Sequence, residues 1–198
     1  KLSDVFIYST FKEKKIMRTI IFLILITLSS FCFSQNMKIE GVTKVDSVSQ
    51  NELYLRARTW FINSFKDAKS VIQLDDSENY IIIGKGNFQY NPGRGESFFF
   101  TTNGIVEFKL KIMCRDGRYK IEIYEFEHIA TNYKGSVGKS FGYITNSMIC
   151  PTHLNKHNTR TNDDAWMRIK SAISIEINLL AKSLKLAMET STGSEDDW

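Results

Sequence analysis

Three side chains in one polar stretch have the types and spacing of a metal site. Cys150, His153 and His157 stand as Cys-x2-His-x3-His, and a thiolate sulfur with two imidazole nitrogens at such steps can close on zinc. That chemistry would suit a metal-dependent hydrolase. A fourth ligand is not adjacent; Cys114, His128 or Asp163 would have to approach. The plainer reading is an exposed polar loop, in which case the domain carries no cofactor. Two cysteines remain beyond residue 34, and they either pair in an oxidising compartment or stay as one buried and one exposed thiol.

The other spacings are weaker. Gly84-Lys85-Gly86 and Pro92-Gly93-Arg94-Gly95-Glu96 resemble anion-cradling loops. Neither has phosphate-loop spacing and neither directly opens a helix, so both read as turns. Glu125 and Glu127 stand two apart, yet no cleft is implied that would make them a catalytic pair. Neither Gly-x-Ser-x-Gly nor His-Glu-x-x-His occurs. Phe88, Tyr90, Phe98, Phe99 and Phe100, with Arg94 among them, put aromatic rings on both sides of neighbouring strands. One set is core; the other is either an exposed interaction patch or buried beneath residues 131–160. These six are the candidate ligand- or partner-binding residues.

Several elements must position these groups. Residues 37–45 alternate as a strand. Ser49 and Glu52 have capping-box spacing, and Leu53, Ala57, Trp60, Phe61, Phe65 and Ala68 repeat at helical period, with Arg56, Arg58, Asn63 and Lys66 mostly opposite. Short strands follow at 71–74 and 80–83, extended chain at 87–90, and a strand at 98–102. Val106, Phe108, Leu110, Ile112 and Cys114 alternate with Glu107, Lys109, Lys111 and Met113, a sheet with one wet face. Asp116-Gly117 closes a two-residue hairpin. It sets Cys114 opposite Tyr119, Ile112 opposite Ile121, Leu110 opposite Ile123, and Lys111 opposite Glu122 as a charge pair. Beyond Ile123 the apolar parity slips to Tyr124 and Phe126, which predicts a β-bulge between Ile123 and Glu125. Ser140 to Ile144 is one further candidate strand. A last helix opens at Asn162-Asp163-Asp164 and runs about 25 residues with Trp166, Ile169, Ile173, Ile177, Leu180, Leu184 and Met188 as its stripe.

The chain has 198 residues and a formal net charge of +4, with 42% hydrophobic residues and only 2 Pro. This excludes collagen-like, disulfide-scaffold and wholly disordered classes. Five basic and two acidic residues fall within positions 1–34, so most of the surplus lies there and the remainder is nearly neutral. Lys12, Lys14, Lys15 and Arg18 precede an apolar run from Ile20, followed by small residues near Ser34: the layout of a secretory signal peptide. The apolar run is shorter than the ~20 residues of a membrane span. The expected organisation is therefore a signal with an upstream extension at 1–34, one domain at 35–189, and an acidic tail at 190–198. An exported protein of the periplasm, cell envelope or medium is implied, with no nucleic-acid partner.

The stretch 51–86 with Leu53-Tyr54, Arg56-Ala57, Trp60-Phe61, Val71-Ile72-Gln73 and Gly84-Lys85-Gly86, together with Asp116-Gly117-Arg118-Tyr119-Lys120, resembles a family. It is a domain of unknown function with a TATA-binding-protein-like (TBP-like) fold, common in exported proteins of Bacteroidetes-type bacteria. The resemblance implies an α+β architecture in β-α-β-block-α order: an antiparallel sheet of about 5–7 strands with two helices on one face. It implies no catalytic residues, and it transfers fold alone, not DNA binding. The expected function is a non-enzymatic binding module for an envelope protein or small ligand, using the open sheet face and the Phe88–Phe100 aromatic hairpin. The zinc hydrolase is the alternative.

Overall fold

In the computed structural model, residues 35–65, 71–93, 100–151 and 159–190 are described. The proposed signal segment, Arg94, Phe98, Phe99, His153, His157 and positions 191–198 lie outside them. Phe100 is described by its backbone alone.

The strands and helices follow the chain as β1 (Ile39–Lys44), α1 (Gln50–Ser64), β2 (Ile72–Asp76), β3 (Ile81–Tyr90), β4 (Phe100–Thr101), β5 (Gly104–Arg115), β6 (Arg118–Ala130), β7 (Val137–Gly138), β8 (Gly142–Tyr143) and α2 (Thr159–Glu189). An antiparallel sheet runs β1-β6-β5-β3-β2, and β8 pairs with β6 beyond the end of β1. The β5–β6 hairpin turns at Gly117, whose φ of +69° is why glycine stands there. Its register is the one the alternation predicts, with Cys114 opposite Tyr119, Ile112 opposite Ile121 and Leu110 opposite Ile123.

The parity slip also has its physical cause in place. Pairing shifts by one residue between Lys109–Tyr124 and Glu107–Glu127. Glu125 absorbs the extra residue at φ +54°, and Phe126 returns to the core.

Both helices cover the same sheet face. Ser49 caps α1 by accepting from the Glu52 amide at 3.2 Å. Leu53, Ala57, Trp60 and Phe61 are buried, as are Trp166, Ile169, Ile173, Ile177, Leu184 and Met188 of α2. Trp60 Nε1 donates to Ser183 Oγ at 3.0 Å, tying the two helices together. Arg56 does not lie on the wet side of α1 as the helical stripe suggested. It is buried, takes the Glu52 carboxylate at 2.8 Å, and donates from Nη1 to the Met188 carbonyl at 2.5 Å. A guanidinium there satisfies a carbonyl in the last turn of α2 and complements its negative end.

Other expectations need correction. α2 begins at Thr159, three residues before the acidic cluster, and its 31 residues span about 46 Å. Gly84-Lys85-Gly86 is neither an anion loop nor a turn but the middle of β3. A Cβ on Gly84 would meet Phe61 at 2.6 Å and one on Gly86 would meet Phe108 at 2.6 Å, so these glycines admit rings close to the sheet. β3 and β4 form no hairpin: β3 pairs with β5, while β4 pairs in parallel with β7.

Candidate functional site: the open sheet face

With both helices on one side, alternate residues of β1, β6, β5 and β3 point to the other. Strand register places them in rows. Val42, Lys120, Met113 and Ile81 stand directly opposite one another across four strands. In the next row, towards the hairpin, Lys44 is opposite Arg118 and Arg118 opposite Arg115. A depression of about 340 Å³ lies here, with Val42, Ile81 and Met113 as apolar lining and Arg115, Arg118 and Lys120 around it. The hairpin that carries it is docked on the start of α1. Asp116 accepts from the Gln50 amide at 2.8 Å, and Gly117 donates to the Val48 carbonyl at 2.9 Å.

Charges on this face divide into two groups. Over the centre and the β1 edge they neutralise one another. Lys120 meets Glu122 at 2.7 Å and Glu40 at 3.1 Å, and Lys38 meets Glu40 at 2.8 Å and Glu122 at 3.2 Å. Lys85–Glu107 and Lys109–Glu125 close at 2.7 Å each. Hydrogen bonds from Lys38 and then Lys120 hold the Glu40 carboxyl down at about 2. Lys111 does lie opposite Glu122, but that carboxylate is taken by Lys120 and Lys38 instead of by Lys111. Among the described residues, Lys44, Lys111, Arg115 and Arg118 have no ion-pair partner. Three of these four, Lys44, Arg115 and Arg118, lie at the hairpin end, which is therefore the main uncompensated, cationic part of the face.

The aromatic candidates sit elsewhere. Phe88 and Tyr90 share the helix-side parity of β3, not the open face. Phe88 is half-buried against Phe108, with ring centres 6.4 Å apart. Tyr90 is buried edge-on to His128 at 5.5 Å. Tyr90 is nine residues along β3 from Ile81, about 30 Å away. Arg94, Phe98 and Phe99 lie outside the described residues, and Phe100 opens β4.

The groups suggested for zinc are not brought together among the described residues. Three converging His, Cys, Asp or Glu side chains are not found there. Cys114 and Cys150 are not disulfide-bonded and both are buried, so neither the pairing nor the alternative of an exposed Cys150 thiol holds. Burial pushes the Cys114 thiol up to about 12. The Cys150 amide donates to Asp163 Oδ1 at 2.9 Å. His128 is committed on both sides: Nδ1 accepts from the Phe141 amide at 3.1 Å, leaving Nε2–H to donate to the Thr102 carbonyl at 2.9 Å.

The row Lys44–Arg118–Arg115 was missed in the sequence. The Asp116-Gly117 turn was enough to pair Arg115 with Arg118, but the partner and register of β1 were not legible, and these bring Lys44 alongside.

Among the described residues no helix is long and apolar enough to cross a membrane. The chain is similar in fold to a TBP-like protein from Parabacteroides distasonis, with TM-score 0.57 and 13% identity over 79% of this chain and 94% of that one. It is also similar to a DUF4468 family protein from Bacteroides ovatus, with TM-score 0.50 and 16% identity over 79% of this chain and 89% of that one. No curated protein matches it. Residues 40–128, which run from β1 through the β5–β6 hairpin and carry nearly all of the open face, match the family described as a domain of unknown function (DUF4468) with TBP-like fold.

Proposed function

We propose that this protein is a non-catalytic binding module of the cell envelope, exported by its N-terminal segment, that holds an acidic partner segment on the hairpin end of its open sheet face. One observation carries the reading: Lys44, Arg118 and Arg115 form an unpaired cationic row beside the apolar positions Val42, Met113 and Ile81. Elsewhere on the face Lys38, Lys85, Lys109 and Lys120 are held in ion pairs and, among the described residues, Lys111 is not, so most of the available charge is kept at the hairpin end. A carboxylate-bearing segment with an apolar side chain fits both parts of that surface. The aromatic stretch Arg94, Phe98, Phe99 and Phe100 remains a second proposed contact on sequence grounds. The test is an NMR titration of the purified chain with acidic, aromatic-containing peptides at low and high salt. Shifts are expected at Val42, Ile81 and Met113, with affinity falling about tenfold in R115E/R118E and falling with salt. Equal binding by that double variant would sink the proposal.

A further inference from the structure

A second site lies on the helix side, at the opposite end of β3. Arg168 of α2 has its Nε and Nη2 atoms buried without a hydrogen-bond partner. A guanidinium stays protonated in a protein, so this is a fixed charge with donors withheld from water. Leaving buried donors unmet is unfavourable, and native folds rarely tolerate it without a reason. A carboxylate stands within helical reach: Asp164 is one turn earlier, the spacing at which acid and arginine pair on a helix. Yet no ion pair joins them. The side chain instead borders a pocket of about 490 Å³ between the end of β3 and α2, where Tyr90, Pro92, Met167, Ala172 and Ile175 supply apolar surface.

The two unmet atoms have a chemical meaning. Nε–H and Nη2–H project from one edge of the guanidinium plane, the edge that receives both oxygens of a carboxylate in parallel hydrogen bonds. Asp164 at the pocket rim opposes any anion, but a doubly charged one such as phosphate about twice as strongly as a monocarboxylate. From this geometry we infer that the pocket binds a monocarboxylate bearing an apolar chain or ring, with Arg168 receiving the carboxylate and the Met167–Ile175 side of α2 receiving the apolar part. The site is separate from the open sheet face and stands without it.

Calorimetry of the full chain with decanoate tests this, with decanol and inorganic phosphate as controls. Decanoate is expected to bind with a Kd of about 0.1 mM, and R168M, which keeps the aliphatic stem and removes the donors, should bind at least about tenfold more weakly. Without ligand, R168M should melt at or above the wild-type temperature, because it removes two buried donors that lack partners. I175E alters an exposed rim position and should weaken decanoate binding with no change in melting. R115E/R118E should bind decanoate as the wild type does, so failure at one surface is distinguishable from failure at the other. Absence of binding at about 5 mM decanoate, equal binding of decanol, unchanged affinity in R168M, or a lowered melting temperature of ligand-free R168M would each overturn the inference.

Discussion

Replacing Gly84 by alanine tests how closely α1 sits on the sheet. The added methyl would lie 2.6 Å from Phe61 Cε1 and 3.2 Å from the Val71 carbonyl oxygen. Carbon atoms rest at about 3.5–4.0 Å, so the ring would have to retreat by about 1 Å. It has little room to do so. Phe61 is fully buried, with Trp60 edge-on at 5.2 Å and Phe65 stacked at 5.7 Å. Overpacking of this kind is unfavourable by about 1–3 kcal/mol, while replacing a strand glycine returns about 0.5–1 kcal/mol. The net expectation is a loss of about 1–2 kcal/mol. Gly41 supplies the control, since a Cβ there meets nothing closer than Ile121 Cγ2 at 4.0 Å; G41A should gain about 0.5–1 kcal/mol from the backbone term alone. In urea, at a slope of about 2 kcal/mol/M, G84A should lower the midpoint by about 0.5–1 M and G41A should raise it by about 0.3–0.5 M. A G84A variant as stable as wild type, or a G41A variant that falls as far as G84A, would refute the close-approach argument.

Three further outcomes follow from individual contacts. Glu125 holds the bulge at φ +54°, so E125G should be stable to within about 0.5 kcal/mol of wild type despite losing an exposed ion pair, whereas E125V should lose about 1–2 kcal/mol in the same melts. His128→Phe removes the ring nitrogens that bond the Thr102 carbonyl and the Phe141 amide; a loss of about 2–4 kcal/mol is expected in thermal melts, and a neutral result would mean that the two bonds contribute nothing. Burial holds the Cys114 thiol at about 12, above its unfolded value near 9, so its contribution is fully present below about pH 9 and is lost as pH rises towards 12. Native protein at pH 8 should therefore resist iodoacetamide at Cys114, with rapid labelling only in denaturant; fast native labelling would contradict the burial.

Much of this fold was legible because its signals are local. Ser49 could be assigned as a cap because its oxygen meets an amide three residues on. The β5–β6 register followed from one turn, since side chains alternate strictly and Asp116-Gly117 fixes the phase. The bulge was legible for the same reason: apolar parity changes after Ile123, and a strand that keeps Phe126 in the core must absorb one residue. Arg56 was misplaced because its helical position borders the stripe. The end of α2, more than a hundred residues away, provides the carbonyl that draws it in. Gly84 was misread because glycine in a polar context resembles a turn, and only the packed Phe61 ring explains it as strand.

The candidate surfaces divide in the same way. The sequence by itself determined that one sheet face would be wet and that Lys109, Lys111, Lys120 and Glu122 would lie on it, because period-two alternation assigns a face without reference to anything distant. Tertiary structure alone decided which of those charges are neutralised and which are left over. Lys120 and Glu122 are engaged by Glu40 of β1 and by Lys38 just before it, and that strand's partner and register are set by long-range pairing. Arg168 is the sharper case. Its place on α2 is written in the helical repeat, but burial of Nε and Nη2 beside the end of β3 arises only when two elements some eighty residues apart are packed together. Alternation and helical period are properties of neighbouring residues, whereas desolvation and charge compensation depend on whatever the fold brings within a few ångströms.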